Sequence, residues 1–196
     1  MELKSIAVYC GSMKGNNPLF AQKAAELGKL MAQNGIKLVY GGGKVGLMGV
    51  IAESIIANQG EAVGVAPQFL MKREVVHHDL HELHVVDTMF ERRNMMIDLS
   101  DGFIAMPGGY GTLDEIGEVL MLSILGKRKC PIGFLNVDGF YDPMIEMLDK
   151  MMQQGFLQPA YHSNALFAAE PSELLALMKN FTPPQYDKFA TGDVHK

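Results

Sequence analysis

We predict an α/β protein in which a mainly parallel sheet is flanked by helices. Two observations predict this class: short aliphatic runs alternate with helical segments along the chain, and most of the runs lack polar–apolar alternation. Continuous apolar runs are typical of strands that are covered on both faces, as in parallel sheets with helical crossovers. In chain order, the runs are SIAVYC, IKLVY, EAVGVA, LHVV, GFIAM and PIGFLN.

The segments between the strands carry helix signals. The first is the clearest, because Asn17 is a suitable N-cap, Pro18 fits the first helical position and Asn34-Gly35 is a good stop. Since no repeat or change of composition divides the chain, residues 1–181 should form one domain. Residues 182–196 contain two prolines and few apolar side chains, which predicts a loose C-terminal tail. Further helices are predicted near residues 46–58, 88–100, 112–126, 140–154 and 171–180.

Composition opposes several classes of protein. The 196 residues are 48% hydrophobic and 20% charged with a net charge of -5, which is typical of a globular chain and opposes a nucleic-acid partner. No apolar run approaches the roughly 20 residues that span a bilayer, and the first residues do not resemble a signal peptide, so we expect no membrane partner. The two cysteines, Cys10 and Cys130, lie far apart. We therefore expect a reduced, cytoplasmic protein.

A metal site is the weaker interpretation of the histidine-rich stretch REVVHHDLHELH. His77, His81 and His84 have helical spacing there, but the stretch runs directly into a predicted strand. Solvated loop histidines are the simpler interpretation, so we expect no metal.

Three predicted strands end in glycine-containing loops, CGS, YGGGKVGLMG and MPGGYGT. Ligands of parallel α/β sheets bind at such loops, beyond the carboxyl ends of the strands. The loops therefore predict a nucleotide-binding domain, with Ser12, Gly42 and Gly43 near the ligand. Residues 41–46 also fit GxGxxG, but the next strand ends without the acid that holds a ribose in dinucleotide sites. NAD binding thus competes with a plainer interpretation, in which the glycines allow a tight turn and close helix packing.

The stretch MPGGYGTLDE is the most specific of these loops. Gly108, Gly109 and Gly111 can present consecutive backbone N–H groups at a helix start, which is a ready site for an anion. Thr112 and Glu115 also fit a T-x-x-E capping box, with acids in the first helical turn. Glu115 therefore has two open roles, as a cap for the helix or as a carboxylate for chemistry.

Two consecutive arginines lie in the predicted helix DTMFERRNMMIDLS. Arg92 and Arg93 fall in apolar stripes, where an unpaired charge would be costly. One interpretation is that Glu91 or Asp98 neutralises them, or that they extend to solvent. We favour a ligand role, because paired arginines suit phosphate or carboxylate recognition. Backbone amides and arginine would then hold a phosphate while a carboxylate faces a sugar.

The combination of PGGYGTLDE with MFERR resembles the LOG (Lonely Guy) family, which carries the older label "possible lysine decarboxylase". GGGKVGLMG, MKRE and GFLNVDGFYD extend the resemblance over about residues 4–180. Members are nucleoside 5'-monophosphate phosphoribohydrolases that activate cytokinins. The resemblance implies a Rossmann-like three-layer fold, a homodimer and hydrolysis of the N-glycosidic bond of a purine nucleotide, AMP or a cytokinin type. The products would be the free base and ribose 5-phosphate, with no cofactor.

The resemblance also implies roles for individual residues. Arg92 and Glu115 would be catalytic. Relatives usually have lysine where this chain has Arg93, which keeps the charge but changes the shape of the side chain. Plant relatives commonly have Thr-Trp where this chain has Met121 and Leu122, so the preferred base stays open. Substrate would be bound by Glu74, Arg93, Gly108, Gly109, Tyr110, Gly111 and Thr112.

Of two other functions, decarboxylation is opposed by the chemistry, and a carrier remains as the rival of the hydrolase. Decarboxylation with pyridoxal phosphate would require a lysine for the Schiff base, and Lys44 is the only lysine in a candidate site loop. A non-catalytic nucleotide or molybdenum-cofactor carrier on the same scaffold is the stronger rival. Such a carrier needs no carboxylate at the sugar, so Glu115 beside the arginines favours the enzyme.

Two predicted helices carry apolar residues almost all round. They are the segment 112–126 and the stretch MFERRNMMIDL. A helix that covers one sheet face normally has a polar back. We therefore expect both helices to contribute to a dimer interface.

Overall fold

A computed structural model of the chain describes residues 2–71, 76–77 and 80–184. Within these residues, seven strands form one sheet in which all neighbours are parallel, so the predicted α/β class is confirmed. Their order across the sheet is β4-β3-β2-β1-β5-β6-β7, where the strands are β1 Ser5–Tyr9, β2 Lys37–Tyr40, β3 Ala62–Pro67, β4 Glu82–Val86, β5 Gly102–Ala105, β6 Ile132–Leu135 and β7 Ala165–Ala168.

The six predicted helices are confirmed, with ends that shift by a residue or two. Asn17 caps the first of them, since its side chain accepts a hydrogen bond from the Leu19 N–H at 3.0 Å. Two short helices and a 3-10 turn at Val137–Gly139 were not predicted. In the described ranges the helices are α1 Pro18–Gln33, α2 Gly46–Ala57, α3 Gln68–Met71, α4 Met89–Asp98, α5 Tyr110–Ile124, α6 Asp142–Gln153, α7 Pro159–His162 and α8 Pro171–Lys179.

Two apolar cores lie on opposite faces of the sheet and make the fold three-layered. On one face, α1, α2 and α8 bury side chains such as Leu27, Ile51 and Leu174. On the other face, α4 and α5 bury Met96 and Ile116 against the strands. Burying an aliphatic side chain of this size contributes roughly 1.5–3 kcal/mol, so this packing holds the helix starts near the sheet edge.

The chain reverses its direction of growth across the sheet at β1, which has β2 on one side and β5 on the other. Ligand crevices of open α/β sheets form at such a switch point, beyond the carboxyl ends of the strands. Here the loops after β1, β2 and β5 meet, because the Gly11 N–H donates to the Pro107 carbonyl and the Gly11 carbonyl accepts from the Leu47 N–H. The three glycine loops of the sequence therefore converge as predicted.

Three further predictions concern the whole chain. The predicted tail over 182–196 lies outside the described residues from position 185 onward. None of the helices in the described part of the chain is long and apolar enough to cross a membrane. Within the same part, no group of three or more His, Cys, Asp or Glu side chains is placed to hold a metal ion.

Candidate active site

A cavity of about 270 Å³ opens where the loops after β1 and β2 meet the helices α4 and α5. The β1 loop contributes Gly11 and Ser12, the β2 loop contributes Gly41, and the start of α5 contributes Gly109 to Thr112. Arg92 of α4 and Glu115 of α5 face each other in its wall. The structure thus brings together Arg92, Glu115, Ser12, Gly109, Tyr110, Gly111 and Thr112 of the predicted site residues.

Arg92 and Glu115 form a buried ion pair. The Nη1 atom of Arg92 lies 2.5 Å from Oε1 of Glu115, and the two residues are 9% and 7% exposed. Arg92 also donates from Nε to the Val65 carbonyl at 3.0 Å, so β3 fixes the guanidinium while α5 supplies its counter-ion. A Cβ at Gly41 would lie 2.3 Å from Nη2 of Arg92, so only glycine leaves room for this side chain.

Burial controls the proton affinity of the groups in this wall. Desolvation raises the pKa of Glu115 above its usual value, and the Arg92 guanidinium opposes that rise. The pKa of the neighbouring Cys10 thiol is raised too, by burial first and then by the Glu115 charge. Since a thiol is nucleophilic only as the thiolate, burial keeps Cys10 in its unreactive thiol form.

The predicted capping box at Thr112 and Glu115 is wrong. Helix α5 begins at Tyr110, with Gly109 as an N-cap that makes no side-chain bond, so Thr112 already lies inside the helix. No acid stands in the first turn, and Glu115 turns inward to Arg92 instead. The actual capping box opens α4, where the Glu91 N–H donates to Thr88 Oγ1 and the Thr88 N–H donates to Glu91 Oε2.

The start of α5 presents an open backbone surface to the cavity. The first N–H groups of a helix have no partner within the helix, and its dipole favours an anion there. A Cβ added at Gly109 or Gly111 would meet nothing within 4 Å, and Tyr110 is 93% exposed. A Cβ at Gly108 would lie 2.2 Å from Thr112 Oγ1, so this glycine is required by the packing of the turn itself. Gly108 faces a neighbouring apolar cavity.

Arg93 points away from the cavity and binds α5 on its outer side. Its Nε donates to Glu118 Oε2 at 2.7 Å, and its Nη1 donates to Asp114 Oδ2 at 3.2 Å. The alternative interpretation, neutralisation by Glu91 or Asp98, is wrong, because Glu91 caps α4 and Asp98 pairs with Arg128. The two arginines of α4 therefore clamp α5 through three of its carboxylates.

The GGGKVG pattern serves close packing at its last glycine. Gly46 has a φ of +66°, and a Cβ there would lie 2.2 Å from the Ser12 backbone carbon. The loop before α2 can therefore touch the β1 loop, in agreement with the packing interpretation of the pattern. Gly41 of this loop lines the cavity, whereas Gly42 and Gly43 are not among the described residues of the cavity wall. Glu74 lies outside the described residues.

Gly41 and Tyr9 also line the cavity, although neither was among the predicted site residues. Gly41 opens the GxGxxG pattern, but its partner Arg92 lies on an element far along the chain, so the pattern does not reveal this contact. Tyr9 is the last residue of β1, and its buried ring faces Glu115 and Arg92. Its position directly before CGS was the signal that could have found it, because ligands bind at such strand ends.

A parallel α/β sheet with an anion-ready helix start and a buried acid in one cavity defines the class of nucleotide- or phosphate-binding α/β proteins.

The family model described as "Possible lysine decarboxylase" matches residues 48–178. The cytokinin riboside 5'-monophosphate phosphoribohydrolase LOG of Oryza sativa subsp. japonica is 41% identical over 180 residues, which cover 92% of this chain and 74% of that protein. LOG1 of Arabidopsis thaliana is 37% identical over 190 residues, covering 97% and 89%. The chain belongs to this family, the LOG family.

Solved structures share the fold. The molybdenum cofactor binding protein of Rippkaea orientalis superposes with a TM-score of 0.69 at 23% identity, covering 91% of this chain and 97% of that one. The Moco carrier protein of Chlamydomonas reinhardtii gives 0.68 at 20% identity, covering 91% and 96%. At such identities the likeness concerns the architecture alone. The Rossmann-like three-layer prediction is confirmed.

Proposed function

We propose that the chain hydrolyses the N-glycosidic bond of a purine nucleoside 5'-monophosphate, AMP or a cytokinin nucleotide, and releases the free base and ribose 5-phosphate. The observation that carries this proposal is the buried Arg92–Glu115 pair beside the open start of α5. Relatives at 36–42% identity are named as cytokinin riboside 5'-monophosphate phosphoribohydrolases, which supports the same chemistry.

The phosphate is placed at the start of α5. Gly109 to Thr112 line the cavity at this helix start, where backbone N–H groups lack partners within the helix and the dipole favours a dianion. Ser12 borders the same cavity from the β1 loop and can donate its hydroxyl. Of the other predicted substrate-binding residues, Glu74 stays a proposed contact, whereas Gly42 and Gly43 would support the β2 loop. Arg93 would act by holding α5 in position.

The sugar is placed against Glu115. As the C1'–N bond breaks, its electron pair leaves with the base nitrogen, which takes a proton, and C1' acquires oxocarbenium character. A carboxylate beside C1' stabilises that positive charge and orients the water whose oxygen forms the new bond to C1'. The water loses one proton in that step, which balances the proton taken up by the base. Glu115 is buried, so its charge acts in a medium that screens it weakly.

Arg92 favours the ionised form of the Glu115 carboxylate and holds it in place. The guanidinium meets the carboxylate directly and is itself fixed on the Val65 carbonyl. Its Nη2 atom packs over Gly41 at the floor of the cavity, where it can anchor the substrate or assist departure of the base.

The two rival functions lack comparable support. Pyridoxal phosphate chemistry needs a lysine in the site, and Lys44 is exposed and outside the cavity wall as far as the structure describes it. A carrier would bind nucleotide without needing Glu115. Turnover therefore separates the carrier from the hydrolase.

We further propose a cytoplasmic homodimer built on the layer of α4 and α5. These helices expose Phe90, Leu113, Met121 and Leu125 on their outer side. Exposed apolar side chains gathered on one layer are typical of an interface with a second copy, and obligate dimers bury large apolar areas. Residues 1–181 would form one nucleotide-binding domain in each subunit.

A product assay tests the proposed function. The purified chain is incubated with AMP and, separately, with isopentenyladenosine 5'-monophosphate, and the mixtures are analysed for free base and ribose 5-phosphate in equal amounts. Release of both products from either nucleotide supports the hydrolase, and the ratio of kcat/KM values ranks the two bases. Tight nucleotide binding without products would support a carrier instead.

A further inference from the structure

Tyr9 ends β1 at the cavity wall. Its ring is 2% exposed and stacks on Phe103 of β5, with ring centroids 6.2 Å apart and planes inclined by 15°. The same side chain borders the cavity together with Arg92 and Glu115. Packing therefore fixes the ring at the edge of the cavity.

The Tyr9 hydroxyl has no hydrogen-bond partner among the residues that the structure describes. The nearby buried Tyr141 shows the usual situation, since its hydroxyl donates to the Met106 carbonyl at 2.7 Å. The buried side-chain atoms that lack a partner among the described residues do not include the Tyr9 oxygen, so this hydroxyl is accessible from the cavity that Tyr9 lines. An unpaired hydroxyl held at a cavity wall indicates a partner that arrives with the ligand.

Tyr9 is a neutral hydrogen-bond donor next to a charged pair. Its pKa lies well above the usual value, chiefly because of burial and then because of the Glu115 charge, while Arg92 acts in the opposite direction. The phenol therefore keeps its proton. The Nε of Arg92 already donates a hydrogen bond to the Val65 carbonyl, and its Nη1 donates one to Glu115.

We propose that Tyr9 donates a hydrogen bond to the ribose 2'-hydroxyl of the nucleotide and thereby selects ribonucleotides over 2'-deoxyribonucleotides. This inference rests on the proposed function, which sets C1' against Glu115. The 2'-hydroxyl sits on the carbon next to C1', so a donor in the wall beside Glu115 is placed to reach it. Hydrogen bonds to this hydroxyl strengthen as the oxocarbenium forms, so the contact contributes to kcat as well as to KM.

The test compares AMP with 2'-deoxyadenosine 5'-monophosphate in steady-state kinetics. The variants are Tyr9→Phe, which keeps the stacked ring, and Tyr40→Phe, a control that removes a buried and unpaired hydroxyl outside the cavity. The wild type should prefer AMP. Tyr9→Phe should lower kcat/KM for AMP by about tenfold and leave the deoxynucleotide unchanged, which is the value of one hydrogen bond. Tyr40→Phe should leave the preference as in the wild type.

Structural damage gives a different pattern. The melting temperature of Tyr9→Phe should equal or exceed that of the wild type, because no hydrogen bond within the protein is lost. An equal loss for both nucleotides, an unchanged preference in Tyr9→Phe, or a wild type without preference would overturn the inference while the hydrolase stands. A wild type that releases base from neither nucleotide would overturn the proposed function first, and this inference with it.

Discussion

Arg92 reaches across from α4 and meets Glu115 of α5, with 2.5 Å between Nη1 and Oε1 and both residues buried. The pair joins two helices that are separated by a strand and a glycine loop, and its acid faces the cavity. An arginine expected to receive a phosphate thus holds the protein's own carboxylate. In the proposed function, the phosphate is bound by the backbone N–H groups at the start of α5.

Removal of Arg92 should affect both stability and catalysis. Arg92→Ala leaves a buried carboxylate without its partner, which typically costs about 3–5 kcal/mol of unfolding free energy. Activity toward AMP should be lost as Glu115 and the substrate are misplaced. Urea unfolding and AMP hydrolysis measure the two effects. Arg128→Ala is the matched control, since its partner Asp98 is mostly exposed and such pairs contribute about 0–1 kcal/mol. Unaltered kinetics in Arg92→Ala would show that Arg92 has no role in substrate binding or catalysis.

Arg93 should matter less for stability than Arg92. Its partners Glu118 and Asp114 are partly exposed, so solvent screens both contacts, and Arg93→Ala should cost about 1 kcal/mol or less. If Arg93 acts by positioning α5, Arg93→Lys should keep one contact and most of the activity. A rise of more than about tenfold in KM for AMP in Arg93→Lys would instead indicate direct contact with the phosphate.

The pH profile should report Glu115. Burial raises the pKa of this carboxyl, so its charge is lost at a higher pH than for an exposed glutamate. The protonated form cannot stabilise a positive sugar, so kcat/KM for AMP should fall as pH decreases, with the acid limb above 4.5, the ordinary value. An acid limb at or below 4.5, in a chain shown to remain folded by circular dichroism, would contradict this assignment.

Most of the fold could be predicted because its elements carry local signals. The alternation of apolar runs with capped segments identified six strands and six helices, and Asn17 acts as its sequence suggests. The seventh strand, Ala165–Ala168, was missed because four residues of mixed size carry little periodicity. Its position is set by pairing with β6, which is a tertiary contact.

The site was only partly predictable, because its geometry depends on contacts between distant residues. The glycines and Thr112 marked a helix start, but the sequence did not reveal that α5 begins at Tyr110, before the T-x-x-E pattern. Glu115 is 23 residues from Arg92, and the charge pattern near Arg92 offered closer acids. Gly41 is explained only by the guanidinium that packs on it.

The proposed dimer can be tested by a charge on its apolar layer. Phe90 of α4 is 63% exposed, and Phe90→Glu should convert the dimer to a monomer because it places a charge in an apolar interface. Leu19→Glu, on α1 in the opposite layer, is the matched control and should stay dimeric. Sedimentation velocity at micromolar concentration distinguishes the two states. A monomeric wild type at that concentration would refute the dimer.

The most direct test of the account is Glu115→Gln, which removes the charge and keeps the shape of the side chain. The measurement pairs turnover of AMP with the dissociation constant of AMP from calorimetry. We predict that Kd changes by less than about tenfold, whereas kcat falls by at least about a hundredfold, as expected when transition-state charge stabilisation is lost. AMP hydrolysis by Glu115→Gln at the wild-type rate would contradict the central claim that this carboxylate stabilises positive charge at C1' of the ribose.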